Sequence, residues 1–185
     1  MTKHRNVIAV IGSGNDPHHS SSYPLGQWLA ENGFDLINGG GQGVMAETAR
    51  AFTSVSPREG RVIGVLPAAE MLDTPLQRRE YQTPPGYPNP YTEMVIRTHL
   101  PCVGKQGDEF ASRNHIIVLS ADFIFALPGS YGTQTEIQLA LEYEKPLIIV
   151  SPNGEWEEFA DRAVVVNRIS DAVNRFQEWR ENQMK

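Results

Sequence analysis

An apolar run of strand length, Asp122 to Leu127, ends in the turn Pro128-Gly129-Ser130-Tyr131-Gly132-Thr133. It passes straight into a stretch with apolar residues at 137, 139, 140, 141 and 143, the spacing of a buried helix. Strand, glycine turn and helix in immediate succession form the repeating unit of a parallel sheet, whose strands must be joined by crossovers. The turn also has a chemistry. Glycines let the backbone bend with its N–H groups facing outward, and the helix adds unpaired N–H groups and a positive dipole end. Such a turn favours a phosphate.

The unit recurs. Phe34 to Ile37 is a short strand, Asn38-Gly39-Gly40-Gly41-Gln42-Gly43 the turn and Val44 to Phe52 the helix. The continuous apolar run Asn6 to Ile11, followed by Gly12-Ser13-Gly14, reads as a first strand buried on both faces. Further strands are expected at 61–66, 94–98, 147–150 and 163–166. Helices are expected at 23–32, 108–120 (Phe110, Ile117 and Val118 inward), 156–162 and 170–181. His18 to Ser22 read as a loop over the first turn. Pro67, Pro75, Pro84, Pro85, Pro88 and Pro90 mark an irregular surface stretch. The alternation predicts an α/β fold, a single-domain doubly wound parallel sheet over residues 1–185 with right-handed crossovers. Ligands of such sheets lie beyond the carboxyl ends of the strands, where the turns at 12–14, 39–43 and 129–132 all fall.

Several classes are disfavoured. Pro17 stands where a dinucleotide fingerprint starting at Gly12 needs glycine, and no turn is followed by Gly-Lys-Ser/Thr. A net charge of −6 argues against general nucleic-acid binding. No apolar run approaches the roughly 20 residues of a membrane span. The N-terminal residues carry no signal-peptide pattern, and the single cysteine, Cys102, suits a reducing compartment, so a cytoplasmic location is expected. His99 and His115 lack a partner at ligand spacing, so no metal site is expected. Met45, Leu139 and Leu141 read as core. Arg97, at the end of a strand expected to be parallel, is a candidate second anion contact.

The paired motifs, Gly-Gly-Gly-x-Gly-Val-Met at 39–45 and Pro-Gly-x-x-Gly-Thr-x-x-Glu at 128–136, resemble those of the LONELY GUY family, once taken for lysine decarboxylases. Those proteins are phosphoribohydrolases that cut the N-glycosidic bond of cytokinin nucleotides. The same Rossmann-like fold carries the molybdenum cofactor carrier proteins. The resemblance covers roughly residues 6–150. It implies an anion clamp at Arg113 and a site carboxylate at Glu136, the catalytic pair in the hydrolase reading. It also implies a phosphate cradle drawn from Gly12, Ser13, Gly39, Gly40, Gly41, Gly43, Gly129, Ser130, Tyr131, Gly132 and Thr133. A homodimer or homotetramer is implied as well.

The chain departs from the hydrolases in having Arg113-Asn114 for Arg-Lys, Ser130 for a second glycine, and Thr135 where they often have a glutamate. The runs Ser112 to Ser120 and Glu136 to Pro146 are closer to the carrier branch. The resemblance therefore implies a small phosphate-bearing ligand, the molybdenum cofactor before a nucleoside 5′-monophosphate. A nucleotide-sensing module is the third reading. The ring pocket is expected to come from residues 67–101.

Overall fold

The computed structural model describes residues 5–183; the expected single domain's residues 1–4 and 184–185 lie outside the described part. Its seven strands are β1 (Val7–Ile11), β2 (Asp35–Asn38), β3 (Val62–Leu66), β4 (Met94–Arg97), β5 (Phe123–Ala126), β6 (Leu147–Val150) and β7 (Val164–Val166). They form one sheet in the order β4-β3-β2-β1-β5-β6-β7, and every neighbouring pair is parallel. Winding therefore reverses at β1, which pairs with β2 on one side and β5 on the other. The crevice at the carboxyl ends of β1 and β5 is the place where this topology leaves room for a ligand.

The central strands are apolar on both faces because both are covered. One face carries α1 (His19–Glu31), α2 (Val44–Ser54) and α6 (Ile169–Gln183), with Leu25, Leu29, Phe52 and Phe176 packed on Ile8, Phe123 and Phe125. The other carries α4 (Asn114–Ser120) and α5 (Tyr131–Glu142), with Ile117, Val118, Ile137 and Leu139 packed on Ala9, Ile11 and Ile124. A single turn, α3 (Pro75–Arg79), lies in the proline-rich stretch, opened by the reciprocal Thr74–Gln77 capping box.

Helix α1 packs against α2 at Gly26. A Cβ there would stand 2.3 Å from the Thr48 carbonyl oxygen and 2.9 Å from the Ala51 methyl. Because backbone cannot yield as a side-chain tip does, Gly26→Ala is expected to cost about 2 kcal/mol, read as a lowered denaturant midpoint. An unchanged midpoint would mean that the helices separate freely.

Three expected elements differ. The first helix begins at His19 rather than Tyr23, so His19 to Ser22 form its opening turn and not a loop; Pro24, which marks a helix start by rule, sits inside it. The helix expected over 108–120 is only Asn114–Ser120. Before it, residues 104–113 form a 3-10 turn and tight turns held by bonds such as Ser112 N–H to the Glu109 carbonyl, and Phe110 is 98% exposed instead of inward. The expected helix at 156–162 is a single 3-10 turn, Glu157–Phe159.

Candidate functional site

A cavity of about 230 Å³ opens at the switch point. Gly12 and Gly14 contribute its β1 wall and Gly39 its β2 wall; Ser130, Gly132, Thr133 and Glu136 come from the last turn and α5. Arg113 and Asn114 enter from the start of α4. Residues far apart in the chain meet here because each lies just past a strand's carboxyl end or on the helix that follows.

Arg113 is the best-held cation of the protein. It is 5% exposed, and its Nη1 donates to the Gly39 carbonyl and to the Val65 carbonyl at 2.6 Å. Nη2 reaches the Tyr87 hydroxyl at 3.4 Å, and the guanidinium lies 5.0 Å from the centre of the Tyr87 ring. Its buried Nε has no hydrogen-bond partner among the described residues. A buried charged donor left unpaired costs free energy, and an anion in the cavity would remove that cost.

Glu136 shares the cavity but forms no ion pair with Arg113 among the described residues, although such a pair is the plain structural alternative to a ligand role. Loss of solvent pushes its carboxyl up from 4.5 to about 7, and the Arg113 charge offsets only part of this. Near neutral pH the group is therefore shared between acid and carboxylate. The acid form can donate a hydrogen bond beside a bound anion; the carboxylate can accept one or take a proton.

The N-terminus of α5 has no side-chain cap. Its first N–H groups are unpaired by helix geometry, and Ser130, Gly132 and buried Thr133 at this end line the cavity. Gly129 allows the approach, since a Cβ there would stand 2.1 Å from the Thr133 hydroxyl.

Other expected cradle residues have different partners. Ser13 donates its N–H to the Pro128 carbonyl at 3.0 Å, while its hydroxyl accepts from the N–H groups of Asn15 and Asp16. It ties the first turn to the last and does not line the cavity. The Gly40 N–H goes to the Asn38 side chain at 2.8 Å, and the carbonyls of Gly40 and Gly41 accept from Asn89. The turn at 39–43 thus gives carbonyls to Arg113 and Asn89, and its Gly40 N–H is already taken. Gly40, Gly41, Gly43, Gly129 and Tyr131 lie outside the cavity lining. Arg97, expected on the ligand side, lines a separate surface hollow with Leu66 and Thr83, its guanidinium 5.8 Å from the Tyr81 ring.

Met45, read as core, lines the cavity, as do Tyr87, Val103 and Gly104. Tyr87 comes from the proline-rich stretch in which a ring pocket was expected. Val103 and Gly104 precede the short α4 and carry no periodic signal. Among the described residues, no group of three or more His, Cys, Asp or Glu side chains could hold a metal ion, and no helix is long and apolar enough to cross a membrane.

The model of the SLOG cluster4 family matches residues 5–175. The chain belongs to the SLOG cluster4 family. This places it in the LONELY GUY and molybdenum cofactor carrier superfamily, as the motif pair implied. A protein of Archaeoglobus fulgidus is 31% identical over 78% of this chain and 80% of its own length. A probable cytokinin riboside 5′-monophosphate phosphoribohydrolase of Oryza sativa subsp. japonica is 28% identical over 94% of this chain and 66% of its own. The molybdenum cofactor binding protein of the phototrophic bacterium Rippkaea orientalis has the same Rossmann-like fold, with a TM-score of 0.72, 24% identity, and coverage of 96% of this chain and 98% of that one.

Proposed function

We propose that this SLOG cluster4 protein binds a small phosphate-bearing pterin or nucleotide in the switch-point cavity, and that it holds the molybdenum cofactor as a carrier. The observation that carries the reading is the buried Arg113, whose Nε has no hydrogen-bond partner among the described residues, lining the same cavity as the uncapped N-terminus of α5. The phosphate takes that Nε and the first N–H groups of α5, with the Thr133 hydroxyl beside them. The likeness to the Rippkaea orientalis protein supports a molybdenum cofactor cargo. At about 230 Å³ the cavity falls below the usual range of roughly 300–1,000 Å³ for enclosed ligands, so part of a pterin would extend through the mouth. The carrier acts as a homo-oligomer in the cytoplasm.

A second reading, a nucleoside 5′-monophosphate phosphoribohydrolase, is favoured by one observation: Glu136 lines the same cavity as Arg113. There Arg113 and α5 would hold the phosphate, and the Glu136 carboxylate would position or activate the water that attacks the ribose carbon. Titration with molybdenum cofactor and with AMP, together with assay of base release from AMP and cytokinin monophosphates, separates the two. Tight cofactor binding without base release is expected. Turnover that disappears in Glu136→Ala would replace the carrier by the hydrolase.

A further inference from the structure

We infer that Tyr87 is the platform on which the ligand's planar ring stacks, and that it makes the site selective for a heteroaromatic ring joined to phosphate by a linker no longer than a pentose. This rests on the phosphate reading above and extends it to the other end of the ligand.

The cavity lining combines polar and apolar groups. Arg113, Thr133 and the N-terminal residues of α5 supply the polar part. Tyr87 and Met45 supply an apolar part, with the Arg113 guanidinium beside the Tyr87 ring. Tyr87 and Met45 adjoin: a Cβ placed on Gly41 would meet the Tyr87 ring and hydroxyl at 2.9 Å and the Met45 methyl at 2.7 Å. An aromatic face beside a polarisable thioether suits a flat π-system better than a sugar, which needs hydrogen-bond partners on all sides.

The ring is held in place. The Gln42 side chain donates to the Gly86 carbonyl at 2.8 Å, and Thr83 donates its hydroxyl to the Tyr87 carbonyl at 2.8 Å. Asn89, 1% exposed, donates its N–H to the Gly40 carbonyl at 2.7 Å and its side-chain amide to the Gly41 carbonyl at 2.9 Å. The segment 83–89 is therefore bound to the glycine turn, and Tyr87 keeps a fixed position relative to Arg113. The Arg113 guanidinium lies 5.0 Å from the ring centre, and the ligand's ring would stack on the part of Tyr87 that lines the cavity. Because the Arg113 guanidinium and the Tyr87 ring centre are only 5.0 Å apart, a phosphate on the one and a ring on the other would be joined by a short linker.

The test is calorimetric titration of the full chain, Tyr87→Phe and Tyr87→Leu with four probes. Inorganic phosphate and ribose 5-phosphate have no aromatic ring; AMP and a phosphorylated pterin do. The wild type is expected to bind one ring-bearing probe at least 10-fold more tightly than ribose 5-phosphate. Tyr87→Leu should remove that preference while leaving ribose 5-phosphate within about twofold, and Tyr87→Phe should keep it. Equal weakening of both probe classes in Tyr87→Leu, or an unchanged preference, overturns the inference, because Tyr87 would then serve only Arg113. A wild type that binds ribose 5-phosphate and ring-bearing probes alike overturns it and leaves the phosphate reading intact. A wild type that binds none of the four overturns both.

Discussion

Arg113→Ala is expected to lower unfolding stability by about 3–5 kcal/mol and to abolish measurable phosphate-ligand affinity. The stability loss follows from position. The guanidinium satisfies the Gly39 and Val65 carbonyls from inside the sheet's carboxyl edge, so truncation leaves buried acceptors without donors. Because such a loss could obscure binding, Arg113→Lys is the sharper variant. It keeps the charge and can reach one carbonyl, but it lacks the planar guanidinium that bonds Gly39 and Val65 through Nη1 and keeps further N–H groups for an anion. Denaturant unfolding should show most of the stability restored, while affinity for AMP or a phosphorylated pterin falls about 10–100-fold. If Arg113→Lys binds as the wild type does, Nε faces no anion and the clamp is purely structural.

The two kinds of information behind this prediction differ in how far the sequence reveals them. The strands, the glycine turns and their place at the carboxyl ends follow from local patterns: apolar runs of strand length, glycine where the backbone must bend, and amphipathic spacing afterwards. From these the doubly wound sheet is legible; the meeting of Arg113 with the last turn is implied by the resemblance of the paired motifs. Hydrogen-bond allocation is not. Gly40 reads as a free cradle donor until its N–H is found on Asn38 and its carbonyl on Asn89. Ser13 likewise reads as a ligand contact until both its polar groups are occupied. Tyr87 and Val103 carry no period at all, since irregular segments are placed by long-range ties such as Gln42 to Gly86. Phe110 shows the opposite failure: an apolar residue at helical spacing from Ile117 promised burial, yet the turns at 104–113 expose it.

Glu136 offers the prediction with the clearest pH signature. Its carboxyl is raised from 4.5 to about 7 in the folded protein, because burial disfavours the charged form. A raised acid holds its proton more tightly in the native state than in the unfolded chain. Stability is therefore unaffected below pH 4.5, declines as pH rises from 4.5 through 7, and stays reduced above that. The shift corresponds to about 3 kcal/mol, and because the side chain opens partly to cavity water about 1–3 kcal/mol is expected. Glu136→Gln keeps the shape and removes the titration. It should match the wild type in unfolding free energy at pH 4 and exceed it by about 1–3 kcal/mol at pH 8. Equal stability of the two proteins at both values would mean that the carboxylate is solvated, and Glu136 would lose its acid role. The same variant distinguishes the functions. In a carrier, phosphate-ligand affinity at pH 8 rises in Glu136→Gln, because a negative charge beside the bound anion is gone. In a hydrolase, binding survives and base release stops, because the amide cannot accept the proton of the attacking water.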